Sequence, residues 1–241
     1  MKNKLYISLI GLAGLTTFFS CTDINHLHEP YLDRGEQIYL GKPDSIHMFS
    51  GKNRVLADVW FSDVKAKNLV VKYNGDIDSI CIPLVRDPEH PLRSDPVSIE
   101  IPDVNEGIAT TFKFIIYDAN MKYKSLTVEA LGSAYGNDYQ ESIQNRILTN
   151  TTYKNGQLKI VWLSTGSTQI QYTEIKYISE NGEEMTHKLM PTETECSFGV
   201  QAGSKVRYRS VFLPEETTVD LFYTDYKAVS YTHLTLPTIR L

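Results

Sequence analysis

Polar and apolar residues alternate in short segments along most of the chain, and turn-forming residues separate these segments. The alternation is clearest at Phe112, Phe114 and Ile116, which would share one face because successive side chains of a strand point to opposite faces. Asn74-Gly75 is a hairpin turn signal. The predicted strands of this half of the chain are 54–61, 68–73, 79–84, 97–101, 111–117 and 125–131. Short strands at this spacing predict a β-sandwich.

The pattern of the first half recurs in the second half at an offset of about 100 residues. The matching segments are 56–60 with 158–162, 70–73 with 174–177, and 104–107 with 200–203. Two copies of a unit of this length predict an all-β chain with two tandem immunoglobulin-like sandwiches. The first sandwich is expected at residues 38–134 and the second at residues 147–229.

Two features that both copies share resemble fibronectin type III domains. A tryptophan, Trp60 or Trp162, ends an early strand, and a Val-x-x-Gly turn precedes the closing strands. The tyrosine that usually follows this turn is replaced by Thr110 in the first copy and by Val206 in the second. A large aromatic side chain between two sheets buries about 150–250 Å². We therefore predict that both tryptophans pack in the cores rather than stack on a ligand.

Residues 135–146, between the two copies, lack strand alternation. The spacing of Tyr139 and Ile143 predicts one helical turn with both side chains on one side. We interpret this segment as the joint between the domains, in preference to a ligand-binding loop.

The start of the chain has the features of a secretory signal. Lys2 and Lys4 precede an apolar run of about 15 residues, which is too short to span a bilayer because about 20 are needed. The run ends at Ser20-Cys21, which resembles a bacterial lipoprotein cleavage site where the cysteine becomes lipidated. The sequence therefore predicts a lipoprotein signal peptide at 1–20, lipidation at Cys21 and a tether at 21–37. The membrane is then a partner through the N-terminal lipid.

The far end of the chain resembles a translated sequencing adaptor over residues 230–241. We expect this tail to be non-native, and His233 is therefore left out of the functional reasoning.

Composition narrows the classes of partner. The chain is 41% hydrophobic and 22% charged, as in globular proteins, and its net charge is −5. An acidic surface repels phosphates and no basic stripe occurs, so nucleic acid is not an expected partner. After Cys21 only Cys81 and Cys196 remain. We predict two buried free thiols, in preference to a disulfide that would bridge the two domains.

The sequence contains no nucleophile elbow, zinc-binding helix motif, phosphate-binding loop or dinucleotide fingerprint. We therefore expect no enzyme, no catalytic residue, no cofactor and no metal site. His26 and His28 lie in the tether, where no rigid surroundings would orient them as ligands. Turn carboxylates such as Asp103 and Glu106 are expected to be solvated or to accept backbone hydrogen bonds.

Binding is the remaining chemistry, and tyrosines are its candidates, since the chain has 15 of them. We predict Tyr123, Tyr223 and Tyr226 as ligand-binding residues, although core packing is the commoner role of any single tyrosine. Alternation places Leu221 and Tyr223 on one face of a strand and Phe222 on the other.

Ser45 and Ser79 each lie in an Asp-Ser-Ile tripeptide. The tripeptide resembles the short O-glycosylation pattern of Bacteroidetes extracytoplasmic proteins, which predicts modification at both serines. Asp-Ser also starts many ordinary turns.

Several further motifs resemble a Bacteroidetes lipoprotein family known as a domain of unknown function (DUF4998). They are the segments 21–28, 31–39, 41–46, 51–55 and 135–146. The family has no established activity and defines no catalytic residues, and its members resemble accessory lipoproteins of glycan-uptake systems.

The resemblance implies a non-catalytic outer-membrane lipoprotein on the periplasmic or the cell-surface face. Its expected partner is a polysaccharide or an outer-membrane protein complex. The alternative is a structural spacer that docks such a complex.

Overall fold

Two pairs of antiparallel sheets make up the part of the chain that the computed structural model describes, residues 39–85 and 96–231. The predicted signal peptide at 1–20, the lipidation site Cys21 and the tether at 21–37 lie outside these residues. Most of the predicted non-native tail, from residue 232 onward, also lies outside them.

The first sandwich contains seven of the described strands. They are β1 (Ser45–Ser50), β2 (Arg54–Trp60), β3 (Asn68–Tyr73), β4 (Asp78–Pro83), β5 (Val97–Pro102), β6 (Thr110–Tyr117) and β7 (Val128–Gly132). One sheet has the order β1-β2-β5 and the other β4-β3-β6-β7. Phe112, Phe114 and Ile116 are fully buried in the core, as the alternation predicted. Asn74 and Gly75 have φ values of 52° and 69° at the predicted hairpin turn, a left-handed conformation that suits these two residue types.

The second sandwich repeats this strand order. Its strands are β8 (Leu148–Lys154), β9 (Gln157–Trp162), β10 (Ile170–Ile178), β11 (Glu184–Leu189), β12 (Glu195–Gly199), β13 (Arg207–Phe212), β14 (Phe222–Tyr223) and β15 (Lys227–Ala228). One sheet has the order β12-β9-β8, and in the other β10 lies between β11 and β13. The two short strands β14 and β15 both pair with β13. The predicted all-β fold of two tandem sandwiches is thereby confirmed.

Equivalent strands of the two sandwiches differ by one residue in the phase of their burial. The buried residues are Val55, Ala57 and Val59 in β2, and Leu158, Ile160 and Trp162 in β9. The two sequences match when residue numbers differ by 102. At this offset the outward-pointing residues of β2 correspond to the inward-pointing residues of β9. A shift of one residue moves every side chain of a strand to its other face.

The two tryptophans consequently have different environments. Trp162 is 2% exposed in the second core, and its ring centroid lies 4.7 Å from that of the core residue Tyr208. Trp60 lies half-buried on the outer face of β2, where its ring centroid is 4.8 Å from that of His47. The prediction of core packing is confirmed for Trp162 and wrong for Trp60. Residues that match in sequence point into the core in one sandwich and away from it in the other.

The two remaining cysteines are free thiols in different environments. Cys196 is half-buried beside the second core, and burial raises the pKa of its thiol to about 11. Cys81 is exposed on the outer face of β4, because Ile80 and Ile82 are the residues of this strand that pack on the first core. The prediction of a buried thiol is therefore wrong for Cys81.

A short helix, α1 (Asn137–Ser142), lies between the two sandwiches. Tyr139 and Ile143 pack against a small cluster of the second sandwich, as the predicted helical turn requires. That cluster consists of Ile170, Phe212 and Phe222. Among the described residues, no helix combines the length and hydropathy needed to cross a membrane.

The N-terminal end of α1 is bound to the first sandwich through Glu106. The Glu106 carboxylate accepts the backbone N–H of Asp138 at 2.8 Å and that of Tyr139 at 2.7 Å. Partial burial opposes ionisation of Glu106, but these hydrogen bonds outweigh it and lower its pKa. Glu106 thus accepts backbone hydrogen bonds, as expected of a turn carboxylate, and the donors belong to α1.

The loop between β13 and β14 makes a second connection to the first sandwich. Asp220 accepts hydrogen bonds from Arg54 Nε at 2.9 Å and Arg54 Nη2 at 2.7 Å, and from the Lys52 backbone N–H at 2.8 Å. Val219 N–H also donates to the Ser50 carbonyl at 2.9 Å. Side-chain and backbone hydrogen bonds of this loop therefore link the two sandwiches.

Arg146, which follows α1, is 4% exposed and organises the adjoining loops of the second sandwich. Its guanidinium donates to the carbonyls of Leu163 at 3.1 Å, Met190 at 3.3 Å and Glu193 at 2.7 Å. Burial lowers the pKa of Arg146. The three carbonyls offset the cost of burying this side chain.

Candidate functional site

The outer face of the β11-β10-β13 sheet carries a cluster of aromatic and charged side chains. We call it the aromatic–basic face, and it consists of Tyr172, Glu174, Lys176, Lys188, Arg207, Arg209, Tyr223 and Tyr226. These side chains share a face because Ile175 of β10 and Tyr208 of β13 point into the core, so their neighbours point outward. The register places Glu174 opposite Arg209, and Lys176 opposite Arg207.

Arg209 is at the centre of this face. Its guanidinium carbon lies 4.3 Å from the ring centroid of Tyr223 and 4.7 Å from that of Tyr226. Its Nε donates to Glu174 Oε1 at 2.9 Å, and the Tyr226 hydroxyl donates to the same oxygen. Two rings and one carboxylate thus hold the guanidinium in a single orientation.

Further cations surround the tyrosine rings. The guanidinium of Arg207 and the ammonium of Lys176 lie 5.0 Å and 5.7 Å from the ring centroid of Tyr226. The ammonium of Lys188 lies 4.6 Å from the ring centroid of Tyr172. All these distances are within the range of cation–π attraction, so the rings and the cations position one another.

The charge balance of the face is positive although the chain is acidic overall. Lys176, Lys188, Arg207 and Arg209 are cations, whereas Glu174 is the one carboxylate of the face. Burial opposes ionisation of Glu174, but hydrogen bonds from Tyr226 and Arg209 outweigh it and lower its pKa. Burial, followed by the Glu174 carboxylate, raises the pKa of Tyr226 to about 12, so Tyr226 keeps its proton at neutral pH.

A shallow cleft of about 430 Å³ adjoins one side of the face. Lys176 and Arg207 belong to both the face and the cleft, and Lys205 and Glu184 complete the charged part of the cleft. Arg207 Nη2 donates to Glu184 Oε1 at 3.3 Å. Face and cleft together form a broad surface with several hydrogen-bond donors.

Of the three predicted ligand-binding tyrosines, the structure brings two together. Tyr223 and Tyr226 both contact Arg209. Phe222 is buried while Leu221 is exposed, as alternation predicted. Tyr123 belongs to the first sandwich, where it packs half-buried on the core. Ligand binding by all three stays a prediction.

The arginines of the face were missed in the sequence. Arg207 and Arg209 alternate with Tyr208, which would have placed both on one face of a strand. What the sequence did not indicate is that β13 lies between β10 and the two short strands β14 and β15. Tyr223 belongs to β14 and Tyr226 directly precedes β15. That neighbourhood depends on long-range strand pairing.

The other predicted sites remain untested. Ser45 and Ser79 are both exposed, Ser45 at the start of β1 and Ser79 on the edge strand β4, and their glycosylation stays a prediction. Cys21 lies outside the described residues. Within 39–85 and 96–231, no group of three or more His, Cys, Asp or Glu side chains is arranged to hold a metal ion.

Comparison with known proteins gives one family and many structurally similar chains, among them the following two. A family model described as a domain of unknown function matches residues 21–222. The FN1–FN3 domains of chicken CNTN1 are 8% identical, with a TM-score of 0.41, and the match covers 79% of this chain and 64% of that one. A segment of two fibronectin type III domains from chicken tenascin is 8% identical, with a TM-score of 0.27 and coverage of 78% and 98%. No curated protein matches the chain.

Proposed function

The chain belongs to the DUF4998 family, a domain of unknown function, and from that premise we propose that it is a non-catalytic binding lipoprotein whose second sandwich captures a polysaccharide. The observation that carries this proposal is the aromatic–basic face. Tyr223 and Tyr226 are fixed there by Arg209 and lie half-buried at the surface.

The shape of this face suits an extended ligand. Sugar rings bind aromatic side chains through apolar contact, and their hydroxyls need hydrogen-bond donors and acceptors nearby. Tyr172, Tyr223 and Tyr226 supply aromatic area, and the surrounding cations supply donors. Because the rings and guanidinium are already ordered by one another, little side-chain entropy would be lost on binding.

A binding role without catalysis is supported by what the candidate carboxylates do. Glu106 accepts backbone hydrogen bonds from α1, and Asp220 accepts a bidentate pair from Arg54. Glu174 is engaged by Arg209 and Tyr226. Each of these carboxylates has a structural partner, so none is left poised as an acid or a base, and we propose no cofactor.

Membrane attachment enters the proposal from the sequence. Lipidation at Cys21 would anchor the protein at the outer membrane, on its periplasmic or cell-surface face. Each buried CH₂ group of an acyl chain contributes about 0.8 kcal/mol, and two or more chains make attachment stable. The captured glycan would then be held close to the membrane across which it is taken up.

The proposal is tested by binding of the purified protein to a panel of soluble polysaccharides, measured by retardation in affinity electrophoresis. We expect at least one polysaccharide to retard the protein and Tyr226→Ala to abolish the retardation. Tyr123→Ala alters the predicted ligand tyrosine of the other sandwich, and it should bind as the unaltered protein does if the site lies on the second sandwich alone. Failure of the folded protein to bind any polysaccharide would contradict the proposal.

The alternative function is a spacer that docks an outer-membrane protein complex. The observation that favours it is the double connection between the sandwiches, through Glu106 and α1 and through Arg54 and Asp220. A spacer benefits from such a joint, since the joint fixes the direction of both domains. Co-purification with a membrane complex after cross-linking in cells, together with no affinity for any polysaccharide, would favour this alternative.

A further inference from the structure

We propose that the aromatic–basic face recognises an acidic polysaccharide, one whose sugar units carry carboxylate or sulfate groups. This inference rests on the proposed function and narrows it to a ligand class. It depends on three features of the face: the donors of Arg209, the excess of cations, and the rigidity of the cluster.

Arg209 has N–H donors that are not used within the face. Its Nε donates to Glu174, whereas its Nη1 and Nη2 donate to no acceptor among the described residues. Its side chain is 25% exposed and is therefore open in part to a ligand. Guanidinium groups bind carboxylate and sulfate oxygens with paired N–H donors, and stacking on aromatic rings leaves the in-plane donors free.

The neighbouring cations are placed to attract a repeating anion. Arg207 and Lys176 are paired across the strands one row away from Arg209, which is two residues or about 7 Å along a strand. Lys205 continues the row of cations into the adjoining cleft. An acidic polymer could therefore contact successive cations with successive charged groups, and such multivalent contact increases affinity.

The carboxylate of the face, Glu174, and the carboxylate of the adjoining cleft, Glu184, do not cancel this attraction. Glu174 has a side chain that is 12% exposed, and it lies beneath Arg209 with Tyr226 bound to the same oxygen. Glu184 is exposed but paired with Arg207. Four cations against these two carboxylates leave a positive surface on a chain whose net charge is −5. A local excess of this kind selects anionic ligands.

The rigid tyrosines favour a sugar over an acidic peptide. Tyr223 lies on β14, which pairs with β13, and Tyr226 lies directly before β15, which also pairs with β13. Both offer ring area to an apolar sugar face, while the cations bind its acidic group. A peptide would instead be expected to use the exposed edge of a sheet, through its own backbone. The central residues of the face, Glu174 and Arg209, lie on the inner strands β10 and β13 rather than on an edge strand.

The test uses the purified full chain and four polymers: polygalacturonate, dextran sulfate, neutral dextran and poly-L-glutamate. Affinity is measured by isothermal titration calorimetry at low and at physiological ionic strength. We expect polygalacturonate or dextran sulfate to bind at least about tenfold more tightly than dextran and poly-L-glutamate, and salt to weaken that binding. Whichever of the two acidic polysaccharides binds more tightly identifies carboxylate or sulfate as the preferred group.

Three variants locate the site. Arg209→Lys keeps the charge but removes the paired donors, and it should weaken binding about tenfold. Arg207→Gln should weaken it about threefold or more, and because Arg207 is exposed this variant is expected to fold normally. Lys159→Gln is the charge-matched control, since Lys159 pairs with Glu195 on the opposite sheet of the same sandwich and should leave the affinity unchanged.

The outcomes separate this inference from the proposed function. Equal binding of dextran and the acidic polysaccharides would overturn the inference and leave polysaccharide capture standing. Equally tight binding of poly-L-glutamate would overturn the choice of a sugar and indicate an acidic protein partner. Loss of affinity in Lys159→Gln as large as in Arg207→Gln would show non-specific attraction and overturn the site. Absence of binding to every polymer would overturn the inference, and the polysaccharide panel then decides whether the proposed function stands.

Discussion

The two sandwiches have one strand order and different outer faces. In the first, Val70 of β3 lies opposite Ile115 of β6, and both are nearly buried. In the second, the corresponding pair is Glu174 of β10 opposite Arg209 of β13. The neighbouring inward residues, Val71 and Ile175, are fully buried in both. The inner faces are therefore alike while the outer faces are not.

This difference indicates where the fold is specified and where function is added. The core needs apolar side chains on the inner face of each strand, and both copies satisfy that requirement. A cross-strand pair on the outer face contributes only a fraction of a kcal/mol to about 1 kcal/mol, so it can change from apolar to charged without loss of the fold. The second sandwich carries its cations and tyrosines at such positions.

The largest expected effect on stability concerns the two tryptophans, because one points into a core and the other points outward. Trp162→Ala removes a side chain that is 2% exposed and should lower the free energy of unfolding by about 3–5 kcal/mol. Trp60→Ala removes a half-buried side chain from an outer face and should cost about 1 kcal/mol. Urea denaturation followed by far-ultraviolet circular dichroism measures both. Equal losses would contradict the one-residue difference in phase between β2 and β9.

A smaller effect is expected at the joint between the sandwiches. A Cβ atom added at Gly136 would lie 2.4 Å from Asn53 Oδ1 and 2.6 Å from Glu106 Oε2. Glu106 would have to move and release α1, so Gly136→Ala should cost about 1–2 kcal/mol, as the loss of a helix cap does. Gly166→Ala is the matched control because no atom lies within 4 Å of its added Cβ. Urea denaturation should show no loss for the control, and an unchanged Gly136→Ala would argue against a tight joint.

The smallest effect is expected for the ion pair that links the sandwiches. A double-mutant cycle on Arg54 and Asp220 should give a coupling of about 1 kcal/mol near neutral pH, since the pair is bidentate but partly exposed. The exposed pair Lys113–Asp76, within the first sandwich, should give a weaker coupling. A coupling between Arg54 and Asp220 no larger than that of the surface pair would show that the link is not a specific one.

The pH dependence of this coupling follows from the pKa of Asp220. The hydrogen bond from Arg54 is the main cause that lowers this pKa below its ordinary value of 3.8. A lowered carboxyl pKa contributes stability above the unfolded value, and that contribution is lost as the pH falls through the folded value. The coupling should therefore be constant down to about pH 4 and decline below it. A coupling that declines already between about pH 7 and pH 5 would point to another group.

Much of the fold could be predicted because local sequence patterns indicate which side chains share a face of a strand. The hairpin turn at Asn74-Gly75, the inward face of β6 and the helical turn with Tyr139 and Ile143 were all evident from spacing. Within the candidate site, alternation predicted that the side chains of Phe222 and Tyr223 point to opposite faces of the strand. Each of these inferences depends on residues that are near one another in sequence.

Other features could not be predicted because they depend on distant residues. Trp60 and Trp162 end matching sequences, yet the side that each presents to its core depends on how its strand pairs with neighbours. Cys81 is exposed for the same reason, since either face of an apolar edge strand could have been the inner one. Periodicity gives the alternation of a strand and leaves its phase open.

The sequence by itself determined the all-β class, the two copies, the turns and the membership of the family, because these depend on local periodicity, repetition and motifs. The tertiary structure decided which tryptophan is buried, that Glu106 and Asp220 link the sandwiches, and that Tyr223 and Tyr226 meet at Arg209. The physical reason is that strand register joins residues far apart in the chain. Arg209 and Glu174 are 35 residues apart in sequence, and only the pairing of β10 with β13 places them 2.9 Å from each other.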